Sequence, residues 1–147
     1  LPGSSGDPAG PQGLYTLLGP MFAQNNIDMQ LITGITDDFA KTLERAESAF
    51  RSKIDTYQNI YLLGYSMGGG VAGQLAQKVS EYAKERLKGV ILLASQTDGL
   101  CSLGSIKNTP VLFYHGSDDE YFPTWQKLAK NENVNLTWYE MNHLSEE

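Results

Sequence analysis

Ser66 stands in Gly64-Tyr65-Ser66-Met67-Gly68, a Gly-x-Ser-x-Gly pattern. A serine hydroxyl is a poor nucleophile until a base removes its proton. The chain holds two histidines, His115 and His143, and either is a base by type. The acid candidates beyond Ser66 are Asp98, Asp118, Asp119 and Glu120. The chain order serine, acid, histidine favours His143, with Asp118 and Asp119 ahead of it. Three such groups would perform acyl transfer. The serine attacks a carbonyl, the imidazole carries its proton, and the carboxylate fixes the imidazole tautomer. The competing reading of Gly64–Gly68 is a tight turn with a helix-capping serine, or a phosphate-binding glycine loop. A Walker loop needs Gly-Lys-Ser or Gly-Lys-Thr, which this stretch lacks.

The elements that must position these groups are legible as alternating apolar runs. Asn59–Leu63 predicts a strand ending directly before the motif. Val71, Ala72, Leu75, Ala76, Val79, Ala83 and Leu87 predict a long amphipathic helix directly after it. Further strands are predicted at Met29–Thr33, Gly89–Ala94, Pro110–His115 and Val134–Tyr139. The run at Gly89–Ala94 has almost no polar alternation, as expected of a strand covered on both faces. Thr36, Asp37 and Asp38 offer a helix start, followed by Phe39, Leu43, Ala46, Phe50 and Ile54 at helical spacing. Trp125, Leu128 and Ala129 predict a short helix beyond Pro123, and the Gly-, Pro- and Ser-rich first 13 residues predict a loop. Strands alternating with helices imply an α/β fold with a mainly parallel sheet and helices on both faces. Ligands in such sheets bind at the carboxyl ends of strands, where Ser66, Asp119 and His143 fall.

The whole chain narrows the function class. It has 147 residues, 41% of them hydrophobic and 19% charged, with net charge −6. No basic patch marks a nucleic-acid partner. No run of about 18 apolar residues predicts a transmembrane segment, and no leader is visible. Cys101 is the sole cysteine, so no internal disulfide forms, which fits a cytoplasmic setting. Two histidines without ligand spacing predict no metal site, and no organic cofactor is expected.

Taken together, Leu62–Gly70, Val111–Pro123 and Met141–His143 resemble the α/β-hydrolase superfamily, and most closely its serine carboxylesterase and acyl-thioesterase branch. The resemblance covers nearly the whole chain. His115-Gly-Ser-Asp-Asp119-Glu-Tyr-Phe-Pro123 is similar to the family's His-Gly-x-x-Asp-x-x-x-Pro loop, which implies Asp119 as triad acid and a structural His115. The resemblance implies a nucleophile elbow at Ser66 with His143 as base. It implies an oxyanion hole from the N–H groups of Met67 and Ser4, where Pro2 replaces a common histidine. Tyr65 and Leu100 are expected to line the acyl pocket, together with Asp98, Cys101 and Leu103. Met141 and Asn142 replace the family's usual glycine before the histidine. The span between the third and fourth hydrolase-like strands leaves no room for a lid domain. The expectation is one domain over residues 1–147, truncated at both ends, that hydrolyses small acyl esters or thioesters. The alternatives are a serine peptidase or lipase of the same fold, and a catalytically silent binding protein or inactive fragment.

Overall fold

The computed structural model describes residues 1–4, 7–34, 36–96, 106, 109–131 and 137–141. Its order is a 3₁₀ turn (Pro11–Gly13), α1 (Leu14–Gln24), α2 (Phe39–Arg51), β1 (Ile60–Tyr65), α3 (Met67–Tyr82), β2 (Leu87–Leu93), β3 (Val111–Gly116), α4 (Phe122–Asn131) and β4 (Thr137–Met141). The architecture is α/β. Four parallel strands stand side by side in the order β1-β2-β3-β4, with helices packed on them. Among the described residues no helix is long and apolar enough to cross a membrane.

Register explains the core. Leu62, Val90 and Val111 are paired across three strands, and Leu92 pairs with Phe113 one step on. Side chains alternate along a strand, so these share a face. Against that face lies α3, whose Val71, Ala72, Leu75, Ala76 and Val79 are all buried. The next layer is α2, which packs on α3 and buries Thr42, Leu43, Ala46 and Phe50 at helical spacing. Asp38 caps α2, its carboxylate accepting the Lys41 N–H at 3.1 Å. Such a cap is worth about 1 kcal/mol. Glu47 joins α2 to α3 by accepting from Lys78 at 2.7 Å, and within α2 it accepts from Arg51 at 2.8 Å. Both partners are largely exposed, so burial rather than charge holds the two helices together. On the same sheet face Trp125 of α4 meets Phe113, their ring centroids 5.0 Å apart.

Three expectations are corrected. Met29–Thr33 is not a strand. A strand exists by pairing, and here the carbonyls of Thr33 and Gly34 accept from the Arg45 guanidinium instead. Leu87 is not on the helix. Helix α3 ends at Tyr82, and Leu87 opens β2 opposite Ile60. The spacing from Ala83 to Leu87 matched a helical stripe because both are buried for separate reasons. Helix α1 was not expected at all. Gly19-Pro20 in its middle reads as a breaker, yet the helix runs through Pro20. The remaining predicted elements fall where expected within a few residues, and β4 holds the described part of the last predicted strand.

Leu75 is 1% exposed and Leu17 on α1 is 65% exposed. Leu75→Ala is expected to cost about 2–5 kcal/mol, since it removes buried contacts and leaves a cavity. Leu17→Ala is expected to stay within about 0.5 kcal/mol. Urea titrations of the two variants check this; equal losses would contradict the core placement.

Candidate functional site

At the carboxyl edge of the sheet, β1 becomes α3 within one residue. That residue is Ser66, with φ 52° and ψ −120°. Positive φ is uncommon outside glycine and costs about 1–3 kcal/mol when the surroundings enforce it. They do so here. The Ser66 N–H donates to Leu93 O at 2.9 Å. The Ser66 carbonyl accepts from Gly69 N at 2.9 Å, Gly70 N at 3.3 Å and Gln96 N at 3.0 Å. The side chain is partly exposed, and among the described residues it makes no hydrogen bond. It is therefore not acting as a helix-capping hydroxyl.

The flanking glycines are required by approach. A Cβ on Gly64 would stand 2.1 Å from Gly68 O, and one on Gly68 would stand 2.3 Å from the carbonyls of Leu1 and Pro2. Backbone meets backbone on both sides, so no side chain can swing away.

The stretch from Leu1 to Ser4 runs beside this turn. The Leu1 nitrogen donates to Leu63 O at 2.8 Å, and Leu1 O accepts from Tyr65 N at 3.1 Å. That is the pattern of a parallel bridge onto β1. The buried Tyr15 hydroxyl also donates to Leu1 O, at 2.8 Å. Burial, reinforced by Tyr65, holds the Tyr15 phenol above its ordinary pKa, so it stays a donor. Gly3 lies against the turn: a Cβ placed on it would stand 3.4 Å from Ser66 Cβ. Ser4 follows, exposed, in a turn. Met67 opens α3, and Tyr65 closes β1 half-buried.

Asp119 sits in the turn after β3. Its N–H donates to Gly116 O at 3.1 Å, and its own carbonyl accepts from Phe122 N at 3.1 Å. One carboxylate oxygen accepts the Tyr121 N–H at 2.8 Å; the other lies 3.9 Å from His115 Nδ1. Asp118 is exposed. Parallel strands stand about 4.8 Å apart, so the Ser66 and Asp119 turns, two strands from each other, are held about 10 Å apart at their roots. A group must stand between them for one to act on the other. His143 and Leu100 lie outside the described residues.

His115 is fully buried at the end of β3, and its Nε2 accepts the Ser95 N–H at 3.1 Å. Ser95 O accepts the Trp125 indole N–H at 2.9 Å. The segment before it is bent, with Ala94 at φ 41°, and a Cβ on Gly69 would strike Ser95 Cβ at 2.6 Å. Residues 94–96 thus form a bracket under the Ser66 turn. The sequence made His115 structural through the resemblance but did not single out Ser95 and Trp125 here, whose roles are set by contacts of the Ser95 main chain with side chains 20 and 30 residues on.

No family model matches the chain, and no curated protein matches it. Among solved structures, that of esterase Est22 shares the fold, with a TM-score of 0.56 at 12% identity. The match covers 88% of this chain and 57% of that one, so the chain spans a little over half the esterase's length. At this identity the likeness is one of fold.

Two outcomes are expected. Gly64→Ala should destabilise by about 3 kcal/mol or more, because backbone must shift to admit the methyl. A loss below about 1 kcal/mol in urea unfolding would contradict the close approach. The second concerns pH. Burial holds the His115 pKa below its ordinary 6.5, with the Asp119 charge opposing. The unfolded chain then binds a proton that the folded chain refuses. Stability is full above about pH 6.5 and falls as pH drops toward the folded value, by at most about 1.4 kcal/mol per unit. Asp38 and Glu47, both held low chiefly by hydrogen bonds from their cationic partners, lose their contributions only further down, through the carboxylate range. His115→Gln should flatten the slope between pH 6.5 and 5, read from urea midpoints; an unchanged slope would assign it elsewhere.

Proposed function

We propose that the chain is a serine hydrolase that cleaves carboxylic esters or thioesters through an acyl-enzyme. The observation that carries this reading is the Ser66 backbone, held at φ 52° between β1 and α3 with its hydroxyl unengaged among the described residues. Strain of this kind persists where the surroundings over-determine it, and it is typical of a nucleophile elbow. The shared fold of an esterase supports the hydrolase class.

In this reading Ser66 Oγ attacks the acyl carbonyl carbon as His143 takes the hydroxyl proton. Asp119 orients His143 and stabilises its charged form. The carbonyl oxygen becomes an oxyanion held by the N–H groups of Met67 and Ser4, the first at the amino end of α3 where the helix dipole favours negative charge. The carbon–oxygen or carbon–sulfur bond then breaks, and His143 returns the proton to the leaving alcohol or thiol. Water repeats the attack on the acyl-serine and releases the acid. Tyr65 and Leu100 line the acyl pocket, and the partner is a small acyl-bearing molecule. The fixed hydrogen bonds of Asp119 favour it over the exposed Asp118 as the acid.

The test is intact mass after treatment with a fluorophosphonate, followed by hydrolysis of p-nitrophenyl acetate. One adduct is expected on the parent and none on Ser66→Ala. Asp119→Asn should lower kcat by about 10²–10⁴-fold while Asp118→Asn stays within about threefold. Equal labelling of parent and Ser66→Ala would sink the nucleophile assignment; a larger effect at Asp118 would move the acid by one residue.

A further inference from the structure

We propose that His115 is a positioning residue for Ser66, acting as a neutral imidazole that holds the 94–96 bracket through its Nε2 lone pair. The inference rests on the reading of Ser66 as nucleophile.

The contacts form one chain of cause. Ser95 can donate its N–H to Nε2 only if that nitrogen carries a lone pair. The proton of a neutral ring is then on Nδ1, which faces Asp119 Oδ2 at 3.9 Å and makes no hydrogen bond among the described residues. The cationic ring would place a proton on Nε2 and point it at the Ser95 N–H, expelling the bracket. The neighbours favour the neutral form. Phe113 and Phe122 stand 5.8 and 6.2 Å from the ring, and neither Ser95 nor Trp125 brings a charge. Among the described residues Asp119 is the charged group facing the ring, and it opposes the burial that favours the neutral form.

The bracket transmits this choice to the turn. With Ser95 N–H fixed by His115 and Ser95 O fixed by the Trp125 indole, Gln96 is placed to donate to the Ser66 carbonyl at 3.0 Å. Among the described residues that bond is the one anchor of the Ser66 carbonyl from outside α3. Ser95 also fills the space beside Gly69 in the first turn of α3. A serine already in a strained backbone state needs outside anchors to keep its hydroxyl aimed, and misplacement of a reacting group by about 1 Å costs on the order of 10²-fold in rate.

Two measurements on the chain test this. In the parent with ¹⁵N-labelled histidine, His115 should show the neutral Nδ1–H tautomer at pH 7. The Nε2–H tautomer or the cation would overturn the proposal even if every variant unfolds. With p-nitrophenyl acetate, His115→Phe should lower kcat at least about tenfold with KM unchanged. His115→Gln, whose carbonyl can replace Nε2 as acceptor, should restore most of it. Equal kcat for parent and His115→Phe, or no difference between Phe and Gln, would overturn the positioning role. The underlying reading fails separately: a parent that takes a fluorophosphonate no faster than Ser66→Ala refutes the nucleophile and with it any role for His115 in aiming one.

Discussion

The close approach of α3 to the end of β1 is the constraint on which the rest of this structure depends. The chain reverses from strand to helix at Ser66 alone, so the first turn of α3 lies directly on the last turn of β1. Gly68 O occupies the space where a Gly64 side chain would begin. Given that contact, no gentler backbone path is open to residue 66, and positive φ follows from the packing. The burial of Val71, Leu75 and Val79 against the sheet supplies the opposing stabilisation, since each is 0–1% exposed. A few kcal/mol of local strain is small beside several fully buried aliphatic side chains at about 1.5–3 kcal/mol each.

That turn is also where separate segments meet. Its N–H is held by the end of β2, its carbonyl by its own helix and by Gln96, and its flank by Leu1–Gly3. Buried polar groups are costly unless paired, and here the pairs run between loops: Ser95 joins β3 through His115 and α4 through Trp125. The turns after β1 and β2 are therefore tied to each other, and the second of them to β3 and α4. His115 and Asp119 show how four residues of separation give different chemistry. The imidazole is wholly enclosed and held neutral, while the carboxylate keeps 19% of its side-chain surface open. One side chain can only hold; the other can meet a group that arrives from outside.

Most of the fold was legible because its signals are periodic and unopposed. The apolar stripe of α3 and the continuous runs of β1, β2 and β3 are long enough to state their type, and Thr36, Asp37 and Asp38 marked the start of α2, which Asp38 caps. The failures have a common physical form. Met29–Thr33 has the composition of a strand, but pairing belongs to the partner and not to the segment itself. Helix α1 was hidden by Gly19-Pro20, though Tyr15, Leu18 and Phe22 keep helical spacing around the break. Leu87 was assigned by spacing alone, and spacing cannot tell one long helix from a helix followed by a strand. At the site, Ser66 could be named because its glycine pattern is local, while Asp119 was set apart from Asp118 only by the resemblance of His115–Pro123 to a hydrolase loop. The bracket at 94–96 could not, since it is held by bonds between the Ser95 main chain and the side chains of His115 and Trp125, 20 and 30 positions away.

A fold shared with an esterase at 12% identity says how few of these constraints need particular side chains. Aliphatic residues exchange freely on a covered sheet face so long as volume is conserved. What cannot exchange is the absence of a side chain at Gly64 and Gly68, and the sheet order that puts the Ser66 and Asp119 turns two strands apart. Those two conditions are geometric. They place a strained serine and an anchored carboxylate on one edge, with their turns about 10 Å apart at the roots. The β4 strand lies next to β3 and pairs with it as far as Met141, opposite Gly116. The chemistry at this edge is therefore set by backbone approach and strand order first, and by the identity of a few polar groups second.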